Sequence, residues 1–89
     1  MMYEIIVQYP AERFIKELKA GEQKRLLNAI EQLAEKPFLG KELVGRLAGL
    51  RSMHVGVYRI VYKIEHAQLI VLILRAGYRG NIYSQKFRK

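Results

Sequence analysis

The stretch Val57-Tyr58-Arg59-Ile60-Val61-Tyr62-Lys63-Ile64-Glu65 alternates strictly, with Tyr58, Ile60, Tyr62 and Ile64 on one side and Arg59, Val61, Lys63 and Glu65 on the other. A period of two carried by β-branched and aromatic residues predicts a strand with one covered and one open face. Just downstream, Gln68 to Ala76 contains the run Leu69 to Leu74, apolar on both faces, which predicts an interior strand covered on both sides. Just upstream, Leu50 to Val55 alternates loosely. The turns at Gly56 and at Glu65 to Ala67 are short, so these three strands are expected to be antiparallel neighbours.

Further outward, residues 3–9 are β-branched and aromatic and end at Pro10, which reads as a first strand. Pro10 suits the first turn of a helix, where its missing N–H has no partner to lose. From Ala11 to Lys19, Phe14, Ile15 and Leu18 form an apolar stripe, and Gly21 is expected to break that helix. A second helix is expected from Glu22 to Glu35, with Leu26, Leu27, Ile30, Leu33 and Ala34 on its inner face, stopped by Pro37. Gly40, Gly45 and Gly49 mark a turn-rich connection. The predicted order is β-α-α-β-β-β plus a short C-terminal tail: a single α+β domain over residues 1–89, a small antiparallel sheet with an N-terminal αα-hairpin packed on one face.

Eighty-nine residues, half of them hydrophobic, suffice for one core and no more. The absence of cysteine excludes disulfides, thiolate zinc sites and a cysteine nucleophile. No apolar run approaches the roughly 18–20 residues that span a bilayer. Met1-Met2-Tyr3-Glu4 lacks the basic start and apolar core of a signal peptide. The expectation is a soluble, cytoplasmic chain with no membrane contact.

Charge divides the chain at Gly40. Residues 1–40 hold six basic side chains and six glutamates, whereas residues 41–89 hold ten basic side chains against Glu42 and Glu65, which is the whole net charge of +8. A neutral half joined to a basic half points to a polyanion partner, nucleic acid first. Neutral helices and a basic sheet place the expected site on the sheet face opposite the helices. Arg46, Arg51, Lys63, Tyr78, Lys86, Arg88 and Lys89 are the candidate nucleic-acid contacts. Tyr78 stays open between stacking on a base and packing against the helices.

All eight acidic residues are glutamates, and aspartate is absent. Ser52 and His54 have no aspartate to complete a triad. The glycines form neither a phosphate loop nor a dinucleotide fingerprint, and two histidines with scattered glutamates offer no metal spacing, so no cofactor or metal is expected. RNA cleavage by internal transesterification survives this elimination, because the substrate's own 2′-hydroxyl is the nucleophile. The protein then has only to align the backbone, neutralise charge on the phosphate and move protons. Arginine suits the phosphate, gripping two oxygens without ever losing its charge. His, Tyr, Lys or Glu can carry the protons.

Leu50-Arg51-Ser52-Met53, then Gly56-Val57-Tyr58-Arg59-Ile60-Val61-Tyr62, then Ala76-Gly77-Tyr78-Arg79 and Tyr83 resemble the signature of the RelE/ParE superfamily of toxins from type II toxin–antitoxin systems. The order β-α-α-β-β-β is also that family's, so the resemblance covers the whole chain. It implies a RelE-like, metal-independent messenger RNA endonuclease acting in the ribosomal A site. The family's two functional arginines fall on Arg59 and Arg79 and its C-terminal tyrosine on Tyr83. A basic residue on the preceding strand falls near His54, where ribosome-dependent members carry lysine, so the general base is left open. The implied partner is a cognate RelB-like antitoxin in a toxin–antitoxin hetero-oligomer. The same resemblance admits a ParE-like DNA gyrase inhibitor without nuclease activity, or an inactive homologue that only binds antitoxin.

Overall fold

The computed structural model describes residues 2–80. Strand β1 (Glu4–Val7) leads into helix α1 (Tyr9–Lys16) and helix α2 (Ala20–Gln32). A 3-10 turn at Pro37–Leu39, the two-residue strand β2 (Lys41–Glu42) and a second 3-10 turn at Gly45–Leu47 follow. Strands β3 (Arg51–Val55), β4 (Tyr58–Glu65) and β5 (Ile70–Tyr78) complete the order. The sheet runs β1-β5-β4-β3-β2.

Three sequence expectations are corrected in detail. The sheet is mixed rather than wholly antiparallel: β3, β4 and β5 pair antiparallel as expected, but β1 joins β5 in parallel, Glu4 opposite Ile70 through Val7 opposite Ile73. Short turns fix the sense of neighbouring hairpins only, and the helical hairpin carries the chain from β1 at one edge of the sheet to β2 at the other. Second, Gly21 does not break α1. That helix stops at Lys16, and Gly21 sits in the first turn of α2, where Lys19 precedes Ala20 in extended backbone. The Gln23 side chain donates to the Lys16 carbonyl at 2.9 Å, capping one of the acceptors that the end of α1 leaves open. Third, Leu27 faces out, while Leu26, Ile30, Leu33 and Ala34 are buried.

The core lies between the helices and one face of the sheet. Ala11, Ile15, Leu26, Ile30 and Leu33 meet Tyr58, Ile60, Tyr62, Val71, Ile73 and Ala76. These sheet residues occupy the side that the alternation assigns to the core. Leu74 is the extra residue at the irregularity opposite Val61 and Tyr62: Val61 pairs with Arg75, and Tyr62 with Ile73. Ile70, Leu72 and Leu74 are half-buried on the other face, so the expected double covering of this strand is partial among the described residues. The β3–β4 connection is the two-residue turn Gly56-Val57, with Gly56 at φ +63° in the first position, a conformation that favours glycine.

Candidate functional site

Alternation on β3 and β4 puts His54 and Arg59 on the face away from the helices, and they stand directly opposite one another across the ladder. Gly77 is the next residue along that row, in β5, and has no side chain to crowd Arg59. Two residues beyond Gly77, Arg79 donates its backbone N–H to the Val57 carbonyl at 3.0 Å and so extends the β4–β5 pairing past Tyr78. Arg59 and Arg79 line one open cleft of about 520 Å³ together with Val57, Tyr78 and Gly80. On the other side of Arg59 lies a groove of about 460 Å³, lined by Leu39, Lys41, Leu43, Ser52, Met53, His54 and Arg59. Neither lining contains a glutamate.

An Arg59 terminal nitrogen donates to His54 Nε2. A guanidinium only donates, so Nε2 is the accepting nitrogen and a neutral His54 carries its proton on Nδ1. The pKa of His54 is lowered, first by loss of water around the ring and then by the charges of Arg59, Arg79 and Lys41. Near neutral pH the imidazole is therefore a free base beside cations. Tyr58 and Tyr62 are poorer proton carriers. Burial and then a hydrogen bond with Glu22 push the Tyr58 phenol up. Burial pushes Tyr62 up against the lowering effect of the Gly40 N–H and Arg51.

The other expected contacts are scattered. Tyr78 packs edge-on against Phe14 of α1 at 5.5 Å between ring centroids and lies 5.4 Å from Tyr58, while also lining the arginine cleft. Arg51 is not brought to this face: its Nε and terminal nitrogen donate to the Gly40 carbonyl at 3.1 and 2.9 Å. Lys63 pairs with Glu65 at 3.2 Å, further along β4. Arg46 is exposed in the 3-10 turn before β3, away from both hollows. Tyr83, Lys86, Arg88 and Lys89 lie outside the described residues. Lys41 is the site residue that sequence reasoning missed. A two-residue strand has no period to read, and only the pairing of Lys41 with Ser52 brings the lysine beside His54. Among the described residues no three His, Asp or Glu side chains gather as metal ligands, and no helix is long and apolar enough to cross a membrane.

Comparison with known proteins agrees with the resemblance read from the sequence. The family model described as the ParE toxin of the type II toxin–antitoxin system parDE matches residues 3–83. Toxin RelG of Mycobacterium tuberculosis is 39% identical over 56 residues, which cover 62% of this chain and 64% of that protein, just under two thirds of the relative's length. The solved RelBE2 toxin–antitoxin complex of M. tuberculosis contains a chain that superposes with a TM-score of 0.81 at 30% identity, over 89% of this chain and all of that one. The archaeal RelE–RelB complex of Pyrococcus horikoshii OT3 gives a TM-score of 0.74 at 22% identity, over 91% of this chain and 99% of that chain, a likeness of fold alone. With the profile spanning nearly every residue, this chain belongs to the ParE toxin family of type II toxin–antitoxin systems, within the RelE/ParE superfamily.

Proposed function

We propose that this toxin is a RelE-like endoribonuclease that cuts messenger RNA in the ribosomal A site, in the cytoplasm, by metal-independent transesterification. The observation that carries this reading is the shared cleft of Arg59 and Arg79 beside a neutral His54. In the proposed step the 2′-oxygen attacks the adjacent phosphorus, the bond to the 5′-oxygen breaks, and a 2′,3′-cyclic phosphate results. The two arginines neutralise charge building on the non-bridging oxygens. An incoming phosphate competes for the Arg59 guanidinium and releases His54 Nε2, which then accepts the 2′-hydroxyl proton. Tyr83, as the resemblance implies, orients the flanking base or returns a proton to the departing oxygen.

The test adds purified protein to ribosomes stalled with an empty A site and maps messenger ends. New cuts that vanish in Arg79→Ala are expected; no cuts, or equal cutting by the variant, reject the reading. A second reading is favoured by the profile match, whose description names ParE: inhibition of DNA gyrase without RNA cleavage. Blocked supercoiling with intact messenger would establish it instead. In either case the partner is a RelB-like antitoxin covering the basic face in a hetero-oligomer, in line with the RelB complexes in which similar chains are found. Co-purification of a small acidic protein is expected, together with growth arrest when the toxin is expressed without it. Harmless high-level expression alone, with no such partner, would refute this.

A further inference from the structure

Arg59 forms a wall of two hollows, and the proposed cleavage step uses only one of them fully. The second reaches across β3 to β2, and most of its lining has no part in that step. At about 460 Å³ it lies in the lower part of the roughly 300–1,000 Å³ range of small-ligand pockets. Its composition is mixed in a particular way. Leu39 and Leu43 provide apolar surface, Lys41 provides a cation, and Ser52 provides a buried hydroxyl with no hydrogen-bond partner among the described residues. A buried polar group left unpaired is costly, and a ligand with polar edges relieves it. Lys41 makes no ion pair among the described residues, so its charge is available to an anion.

A flat heterocycle with polar edges, linked to a phosphate, matches that combination. An apolar peptide segment would leave both Lys41 and Ser52 unused. Spacing supports the match as well. Lys41, His54, Arg59 and Arg79 stand on or directly beyond four successive strands, β2 to β5. Strand separation of about 4.8 Å makes that set span ~14 Å across the strands, on a diagonal because Lys41 lies opposite Ser52 and Arg79 two residues beyond Gly77, room for more than one backbone unit of a single strand.

We propose that this groove seats the nucleotide next to the scissile linkage, its phosphate on Lys41 and its base against Leu39 and Leu43 with an edge at Ser52. The proposal rests on the nuclease reading above and extends its footprint from one linkage to two nucleotides. Lys41 is exposed on an edge strand, so its replacement leaves the fold intact.

The experiment compares wild type, Lys41→Gln, Lys41→Arg and Arg79→Ala in two assays: cleavage on A-site-stalled ribosomes, and binding of a short single-stranded RNA carrying a 2′-deoxy residue at the cut position. Lys41→Gln is expected to raise KM five- to tenfold with kcat within twofold, and Lys41→Arg to restore it. The slope of log Kd against log salt should fall by about 0.7, the loss of one phosphate contact on a single strand. An abasic nucleotide at the neighbouring position should weaken wild-type binding by a similar factor. Unchanged KM and salt slope in Lys41→Gln overturn the proposal, as does a loss confined to kcat. A Lys41→Gln variant that loses antitoxin binding while its RNA Kd is unchanged assigns the groove to the antitoxin and also overturns it. Absence of cutting with Lys41-dependent oligonucleotide binding rejects the nuclease reading and leaves the groove standing. Cutting that depends on Arg79 and ignores Lys41 does the reverse.

Discussion

The β3–β4 hairpin has an arginine and a histidine near each end, and the two ends use them in opposite ways. At the turn end, Arg59 meets His54 on the open face, with Arg79 and Lys41 acting on the same imidazole. At the far end, Arg51 gives two hydrogen bonds to the Gly40 carbonyl and lies 5.0 Å over the Phe38 ring, which stacks on His66 at 5.6 Å. Parity is the difference. Arg51 and His54 are three apart on one strand and so face opposite ways; Arg51 shares its side with Met53 and Val55, which pack on the core. The lesson is that a place in a basic half-chain does not decide where a cation ends up: the Arg51 donors go to a backbone carbonyl, whereas Arg59 meets a side chain at the edge of an open cleft.

The largest effect expected from this contrast is on rate. Arg59→Ala should lower messenger cleavage by about 10²–10³-fold, as for loss of one preorganised donor to a developing charge, with little change in Tm. Arg51→Ala should do the inverse, leaving cleavage near wild type and lowering stability. Equal losses of cleavage in both variants would show that the two ends are not distinct.

Next in size is Tyr62→Phe, which probes the anchor of the far end. The Tyr62 hydroxyl donates to the Pro37 carbonyl at 2.6 Å and accepts from the Gly40 N–H at 2.8 Å, both buried. Deleting it strands a donor and an acceptor, at a cost of about 1–3 kcal/mol. For a chain this size each kcal/mol lowers Tm by roughly 4–8 °C, measurable by calorimetry. Gly40 shows how tightly this corner is closed, since a Cβ there would lie 2.6 Å from that hydroxyl and 2.8 Å from the Ser52 carbonyl. A Tm unchanged in Tyr62→Phe would remove the structural role assigned to this end.

How much of this was legible in the sequence follows from the range of the forces involved. The alternation from Tyr58 to Glu65 located the core face and put Arg59 on the other, because period and burial are local matters. The charge division at Gly40 likewise pointed to the sheet face away from the helices. The fate of Arg51 was not legible, since its acceptor, the Gly40 carbonyl, lies eleven residues away in a turn. Lys41 was missed for the same reason, its position being set by two residue pairs with β3. The parallel seating of β1 against β5 joins residues more than sixty apart, which no local pattern encodes. Tyr78 was left between stacking on a base and packing against the helices; it packs on Phe14 and Tyr58, and it also lines the arginine cleft.

The smallest effect expected is a shift in one titration, and it tests whether the turn end is as cationic as its contents imply. The pKa of His54 is displaced downward from the ordinary value of 6.5. Above 6.5 the residue is neutral in both folded and unfolded chains and contributes nothing to the pH dependence of stability. As the pH falls through 6.5 the unfolded chain takes up the proton first, so stability declines until the lower folded pKa is passed. Cleavage that uses His54 as a base should fall over the lower part of that range. An NMR titration of the ring should place the inflection below 6.5, and charge-removing variants should raise it, Arg59→Ala most, then Arg79→Ala, then Lys41→Gln. None should restore 6.5, because loss of water around the ring is the larger cause and remains in each variant. An inflection at or above 6.5 in the wild type would mean that His54 does not feel these cations, and the turn end would then be no more a built anion site than the Arg51 end.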